Sequence, residues 1–242
     1  MNYGLILAGG VGQRMRTSGM PKQFLEVFHK PIIVYTLEKF DACEEIDRLV
    51  VVCNPAWQDY MENVLSKAFL SKPISIVPGG KDRQASIQNG LNWILSNGGN
   101  TEDIISIHDG VRPLVEIQTI SENIRVAAES GCCMTVRPAI ESVVITATDD
   151  AKFEDFKMRD NTYSLSSPQT FKLGLLQDTY NDIKGKNSPI PLLDAAIAFT
   201  FLGNKIPYVV ENNSNIKITT PQDYYILKAL LEAEENKAIF GL

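Results

Sequence analysis

What most constrains this chain is the alternation of short runs of β-branched and aliphatic residues with longer segments of helical period. Such alternation is the mark of βα units around a mostly parallel sheet. Strands fall at 3–8, 48–53, 74–77, 104–108, 132–137 and 207–211. Helices fit 32–40, 57–69, 83–95, 117–130, 172–184 and 194–202. A last amphipathic helix is expected from 221 to about 235, announced by Thr219-Thr220-Pro221, a hydroxyl cap followed by proline in the first turn.

The segment 138–163 has a different pattern. Ser142 to Thr148 reads as a strand, Asp149-Asp150 as a turn, and the chain then returns toward Met158, forming an extension of the sheet or an arm. No internal repeat, low-complexity tract or linker interrupts the rest. With 242 residues, of which 44 % are hydrophobic and 21 % charged, the chain can bury one large core. The expected architecture is a single α/β domain, a Rossmann-like three-layer sandwich with helices on both faces of the sheet and a β-arm around 138–163.

A formal net charge of −6 argues against a nucleic-acid partner, because affinity for a phosphate backbone comes from accumulated Lys and Arg. Cys43, Cys53 and the vicinal Cys132-Cys133 have no CxxC spacing, and His29 and His108 are the only histidines. Reduced, partly buried thiols are therefore expected rather than a zinc site. No apolar run reaches the ~18 residues that cross a bilayer, and no signal-peptide pattern opens the chain, so a cytoplasmic location without a membrane partner is expected.

Against this acidic background the opening LAGGVGQRM, followed by MPKQF, gathers Gly9, Gly10 and Gly12 with Arg14, Arg16 and Lys22 behind a strand. Glycines there allow backbone N–H groups to approach phosphate oxygens, and the cations add charge. A Walker A loop is excluded, since no Lys-Ser or Lys-Thr follows. A dinucleotide fingerprint, and with it a dehydrogenase, is disfavoured because Met15 occupies the third glycine position. A tight strand-to-helix turn with solvated cations is the plain alternative.

Three further stretches bear on the choice. Pro78-Gly79-Gly80-Lys81-Asp82-Arg83 puts a cation in a first helical turn, where it opposes the helix dipole and suits an anion better than stability. His108-Asp109-Gly110-Val111-Arg112-Pro113 puts a carboxylate at a strand's carboxyl end, able to hold a hydroxyl or a magnesium ion, or simply to cap a turn. Asn215-Ile216-Lys217-Ile218-Thr219 places a lysine just before a helix cap.

Taken together, LAGGVGQRM with MPKQF, GGKDRQASIQNGL, IHDGVRPLV, SPQTF and NIKITTPQD resemble the IspD-like cytidylyltransferases, in order and spacing, from about residue 3 to 231. That family transfers a cytidylyl group from CTP to a polyol phosphate with magnesium and releases pyrophosphate. The resemblance implies a fold of the nucleotide-diphospho-sugar transferase type. It also implies that Ala8, Gly9, Gly10 and Gly12 surround the nucleotide, with Arg14 and Lys22 as a catalytic pair on its phosphates and Lys217 reaching the α-phosphate. Gly80, Arg83 and Ser86 would contact cytosine and its neighbourhood, and Asp109, beside Gly110, would serve the ribose and Mg²⁺. Arg159 would hold the acceptor's phosphate from an arm exchanged within a homodimer, and so serve the partner's site.

Departures from the family pattern cluster on the acceptor side. Leu193-Asp194-Ala195 stands where methylerythritol enzymes carry Thr-Asp-Asp or Thr-Asp-Glu, and Ser142 and Ser166-Ser167-Pro168-Gln169 replace threonine-bearing segments. The acceptor is thus expected at Ser142, Arg159, Leu193 and Asp194. The Leu-Ala-Gly-Gly opening and the 168–174 stretch resemble the pentitol-phosphate enzymes, which favours ribitol 5-phosphate or a similar pentitol phosphate. The alternative is 2-C-methyl-D-erythritol 4-phosphate, in isoprenoid synthesis rather than wall or capsule polymers. A nucleotide-binding module without catalysis is the competitor from another class, opposed by the presence of Arg14, Lys22 and Lys217.

Overall fold

Along β1 (Asn2–Ala8) side chains alternate between two faces, and both faces are apolar. Tyr3 and Leu5 enter one buried cluster, Ile6 and Ala8 another on the opposite side. Both faces must therefore be covered. The computed structural model, which describes residues 1–10, 19–145, 155–186 and 194–241, covers them with a helical layer on each side.

The hairpin β2 (Glu26–Val27) and β3 (Lys30–Pro31) leads into α1 (Ile32–Asp41), and β4 (Arg48–Cys53) returns parallel to β1 with Leu5 opposite Val50. After α2 (Gln58–Ser66), β5 (Ile74–Pro78) extends the sheet outward. The helix α3 (Arg83–Ser96) then carries the chain back to β6 (Ile104–Asp109), on the other side of β1. Beyond it come α4 (Ile117–Ser130), β7 (Cys132–Pro138), the paired arm strands β8 (Val143–Ile145) and β9 (Asp155–Lys157), and β10 (Tyr163–Lys172). Last are α5 (Leu173–Ile183), α6 (Ala195–Phe201), β11 (Tyr208–Val210) and α7 (Pro221–Phe240).

The seven-stranded sheet has the order β11-β7-β10-β6-β1-β4-β5, with β10 antiparallel to both neighbours and the other pairs parallel. Helices α3, α5 and α6 pack on the Leu5 face; α1, α2 and α4 pack on the Ile6 face. A third, small cluster ties the ends of the chain together: Val27 and Ile32 from the hairpin region, Val111 and Leu114 after β6, Ile218, and Leu227 of α7. The Tyr224 hydroxyl donates to the Glu26 carbonyl at 2.7 Å and fastens α7 to the same hairpin.

The six expected strands, the mostly parallel sheet and the covering helices are all present, and the cap at Thr220 is a full capping box with Asp223. Three expectations need correcting. Residues 163–172 form a central strand, missed because YSLSSPQTFK has neither an apolar run nor strict alternation. Several of its polar groups are bonded sideways instead: Thr170 Oγ1 lies 3.1 Å from Ser106 Oγ, and Thr135 Oγ1 donates to the Pro168 carbonyl at 2.8 Å. The helix expected at 57–69 is a 3-10 turn (Pro55–Trp57) followed by α2, and Phe69 beyond its end is fully exposed. The last helix runs to Phe240, and among its described residues only Leu227 is fully buried. All four cysteines are free and buried; burial pushes the Cys53 thiol up to about 11 and Cys133 to about 12, which leaves them inert.

Candidate active site

The chain leaves β1 toward β4 and β5 on one side, then crosses to β6 on the other, so the sheet has its switch point between β1 and β6. Ligands of open α/β sheets bind at such a crevice, beyond the carboxyl ends of the strands. A cleft of about 470 Å³ lies there, lined by Ala8, Gly9 and Gly10 after β1, Gly80, Arg83 and Ser86 at the start of α3, Asp109 at the end of β6, and the lysines Lys22 and Lys217.

Each element is held in place by an identifiable contact. Lys22 opens a 3-10 turn (Lys22–Phe24) whose next residue, Gln23, is buried and donates its side-chain N–H to the Ala8 carbonyl at 2.7 Å. Phe24 closes the turn against Tyr60, edge to face, and against Trp57. The Lys22 turn is thereby clamped to the tip of β1. At α3, Asp82 caps the helix by accepting from the Ala85 N–H at 2.7 Å. The Ser86 hydroxyl donates to the Asp82 carbonyl at 2.8 Å and accepts from the Gly80 N–H at 3.0 Å. A Cβ on Gly80 would lie 2.4 Å from that of Ala85, so only glycine permits this tight approach. Gly10, in contrast, has none of the described residues within 4 Å of where a Cβ would stand.

Asp109 is the hub of the site. One carboxylate oxygen pairs with Arg83 Nη1; the other lies 2.9 Å from Lys217 Nζ and 3.2 Å from Arg112 Nε. Burial alone would raise its pKa, but Arg83, Lys217 and Arg112 override it and hold the carboxyl well below the ordinary range. Arg83 also reaches the other way, with Nε 2.8 Å from Asp194 Oδ1. The cation that opposes the α3 dipole is thus offset by two carboxylates. Lys217 is kept on the cleft by its neighbours: the Ile218 N–H donates to the Val111 carbonyl at 2.9 Å, and the Ile218 side chain is fully buried.

His108, one residue before the hub, is fully buried and its pKa falls to about 3 because burial disfavours the imidazolium. Nε2 sits 3.2 Å from the Arg112 carbonyl, which can only accept, so Nδ1, 3.0 Å from the Ser167 hydroxyl, is the acceptor. It is a neutral bracket, not a general base.

The sequence-derived residues divide accordingly. Ala8, Gly9, Gly10, Lys22, Gly80, Arg83, Ser86, Asp109 and Lys217 converge. Gly110 lies beneath the cleft instead of lining it, where a Cβ would come within 2.5 Å of Ile33 Cδ1. Asp194, expected on the acceptor side, joins through Arg83. Ser142 and Arg159 are exposed on or beside the arm, away from the cations of this cleft. Gly12, Arg14 and Leu193 lie outside the described residues. Gln23 in MPKQF and Arg112 in IHDGVRPLV carry no sequence signal of their own, yet both are buried polar residues that bind the site together.

Among the described residues no group of three or more His, Cys, Asp or Glu side chains gathers to hold a metal. Asp109 offers a single buried carboxylate, a donor set that fits an ion held mainly by a ligand's own phosphates.

The model of the 2-C-methyl-D-erythritol 4-phosphate cytidylyltransferase family, IspD, matches residues 3–233. A protein of Streptococcus agalactiae serotype III named ribitol-5-phosphate cytidylyltransferase is 41 % identical, and one of the same name from Vibrio parahaemolyticus is 37 % identical; each match covers 100 % of both chains. Among solved structures, 4-diphosphocytidyl-2C-methyl-D-erythritol synthase of Anaerococcus prevotii has a TM-score of 0.80 at 25 % identity, covering 96 % of both chains. The 2-C-methyl-D-erythritol 4-phosphate cytidylyltransferase of Francisella tularensis has a TM-score of 0.75 at 26 % identity, covering 94 % of this chain and 99 % of the other.

Proposed function

The chain belongs to the 2-C-methyl-D-erythritol 4-phosphate cytidylyltransferase family and is a cytidylyltransferase, transferring CMP from CTP to a polyol phosphate; from that premise we propose that the acceptor is ribitol 5-phosphate. Relatives named for ribitol 5-phosphate are 36–41 % identical over nearly the whole chain, while the methylerythritol structures stand at 21–26 %. The sequence departs from the methylerythritol pattern at Ser142, Ser167 and Leu193, on the acceptor side, which supports the same reading.

In the reaction an acceptor phosphate oxygen attacks the α-phosphorus of CTP, forming a new P–O bond as the bond to the β-phosphate's bridging oxygen breaks and pyrophosphate leaves. The nucleophile is already an anion, so no strong general base is needed. Catalysis rests on holding two anions in line and neutralising charge. The observation that carries this reading is the set of cations around the Asp109 hub, at the switch-point cleft and facing a glycine loop. In our reading Lys22 and Arg14 act on the phosphates, Lys217 on the α-phosphate, Ala8, Gly9, Gly10 and Gly12 cradle the nucleotide, and Gly80, Arg83 and Ser86 frame cytosine and ribose, with Gly110 packed beneath them. Mg²⁺ would be held by the nucleotide's phosphates with Asp109, and supplies charge neutralisation on the leaving pyrophosphate.

The acceptor side is completed by a second subunit in this reading. Val143, Val144 and Ile145 of the arm are exposed aliphatics, a pattern that suits a partner, and Arg159 beside them would serve the partner's cleft together with Ser142. Asp194 and Leu193 would meet the acceptor in its own subunit. Action in the cytoplasm follows from the need for CTP. No helix among the described residues is long and apolar enough to cross a membrane.

Incubation with CTP, Mg²⁺ and each polyol phosphate in turn, reading pyrophosphate release, tests the assignment. Ribitol 5-phosphate is expected to give the highest kcat/KM. A higher value with 2-C-methyl-D-erythritol 4-phosphate would replace the acceptor and leave the cytidylyl transfer intact.

A further inference from the structure

Beside the hub lies a further buried polar cluster in which Glu211 and Asn215 serve no role given so far. Glu211, directly after β11, is 5 % exposed. Its Oε2 accepts from the Asn215 Nδ2 at 2.7 Å, and the same amide group donates to the Ser167 carbonyl at 2.9 Å. Asn215's own carbonyl accepts from Arg112 Nη1 at 2.8 Å. Arg112 in turn holds Asp109, and Asp109 holds Lys217, which is two residues beyond Asn215. The contacts therefore close a ring from Asn215 through Arg112, Asp109 and Lys217, and back along the backbone to Asn215. Glu211 is the charged group that fixes the Asn215 amide at its root.

This is an expensive arrangement for stability alone. Burial raises the Glu211 pKa, and Arg137 Nε stands 3.7 Å from its Oε1, beyond hydrogen-bond reach. Glu211 Oε1, Arg137 Nε and Asn215 Oδ1 have no well-formed hydrogen bond among the described residues, and the Ser166 hydroxyl, itself without one, is the nearby group that with Asn215 opposes the rise in the Glu211 pKa. A buried carboxylate satisfied on one side is weak support for a fold, and apolar residues of the same volume often do as well or better. What Glu211 does accomplish is geometric, since the 215–217 segment has one anchor at Asn215 and one at Ile218, with Lys217 between them.

We propose that Glu211 is a positioning residue for Lys217, acting through Asn215 and the Arg112–Asp109 pair. The inference rests on the assignment of Lys217 to the α-phosphate made above. Displacing a group of the site by even a fraction of an ångström is costly for a reaction that depends on alignment, and a loss of about 10-fold in kcat is expected.

The test is a double-mutant cycle on the full-length protein with CTP and ribitol 5-phosphate. Glu211→Met removes the acceptor at similar volume, and is expected to lower kcat by about 10-fold with KM for CTP within about 2-fold. Glu211→Gln keeps an acceptor for Asn215 and is expected to recover most of that turnover. In a Lys217→Ala background Glu211→Met should cost nothing further, because its effect is transmitted through the missing lysine. If E211M does not fold, Asn215→Ser breaks the same link from the other side with the same expectations. Wild-type turnover in E211M, no recovery in E211Q, or a full additional loss on the Lys217→Ala background would overturn the proposal. Lys217→Ala alone separates the two readings: full turnover there removes the role of Lys217 and the proposal with it, whereas loss there with an active E211M removes the proposal only.

Discussion

Lys217 Nζ and Arg112 Nε converge on the same oxygen of Asp109, at 2.9 and 3.2 Å, while Arg83 takes the other oxygen. A single buried carboxylate thus sets the spacing of three cations that come from three separate parts of the chain.

Asp109→Asn removes the charge and leaves the shape. Three cations then face one neutral amide, and the ligand-free protein is expected to lose about 3 kcal/mol in a denaturant titration, as when one partner of a buried pair is taken away. Turnover should fall on the order of 10²-fold or more. Wild-type stability together with wild-type pyrophosphate release in this variant would contradict the hub assignment.

Lys22→Ala and Arg14→Ala should each abolish most turnover while circular dichroism and melting stay close to wild type, since the task of both is charge on the phosphates. Mixing gives a sharper result. If Arg159 serves the partner's cleft, inactive Lys22→Ala and inactive Arg159→Ala subunits, refolded together, should regain activity, because one cleft of each mixed dimer is then complete. Absence of any regain despite verified mixed dimers would return Arg159 to its own subunit or remove it from the site.

His108 predicts a pH dependence of defined sign. Its folded pKa, about 3, lies below the unfolded value of about 6.5. Below pH 6.5 the unfolded chain takes up a proton that the folded chain refuses, so this contribution to stability is full above that pH and is lost as pH falls toward 3. The stability difference between wild type and His108→Leu should therefore shrink by about 1.4 kcal/mol per pH unit between pH 6 and 4. A difference constant over that range would show that the imidazole is protonated in the folded state. Asp109 adds nothing to this window, because its depressed pKa moves its own loss below about pH 4.

Gln23→Ala leaves the buried Ala8 carbonyl without its donor and frees the Lys22 turn from β1. A loss of about 1–2 kcal/mol in stability is expected, with a several-fold drop in kcat/KM for CTP. An unchanged kcat/KM would mean that Phe24, wedged against Trp57 and Tyr60, holds the turn unaided.

The fold was legible wherever burial and period coincide, as in β4, where RLVVVC can only be a strand covered on both faces. It was not legible at β10, because a strand stabilised by Thr170–Ser106 and Thr135–Pro168 contacts carries no hydrophobic signature. The cations and glycines of the cleft could be read because each is an odd residue in its place: Arg83 against a helix dipole, Lys217 beside a cap. Glu211, Asn215 and Gln23 could not. Their roles depend on hydrogen bonds between strand ends, and nothing in the one-dimensional pattern marks a polar residue as buried.

The small cluster of Val27, Ile32, Val111, Leu114, Ile218 and Leu227 has a consequence for how the protein comes to be active. Lys22 and Lys217 are far apart in sequence, and the contacts that hold the Lys217 segment run from Ile218 to Val111 and into the cluster that Leu227 of α7 shares. A nascent chain leaving the ribosome amino-terminus first can assemble β1, β4, β5 and β6 long before the last lysine has been made. The segment that carries Lys217 therefore joins the cleft late in folding, and Leu227 packs into the same cluster as Ile218, that lysine's neighbour.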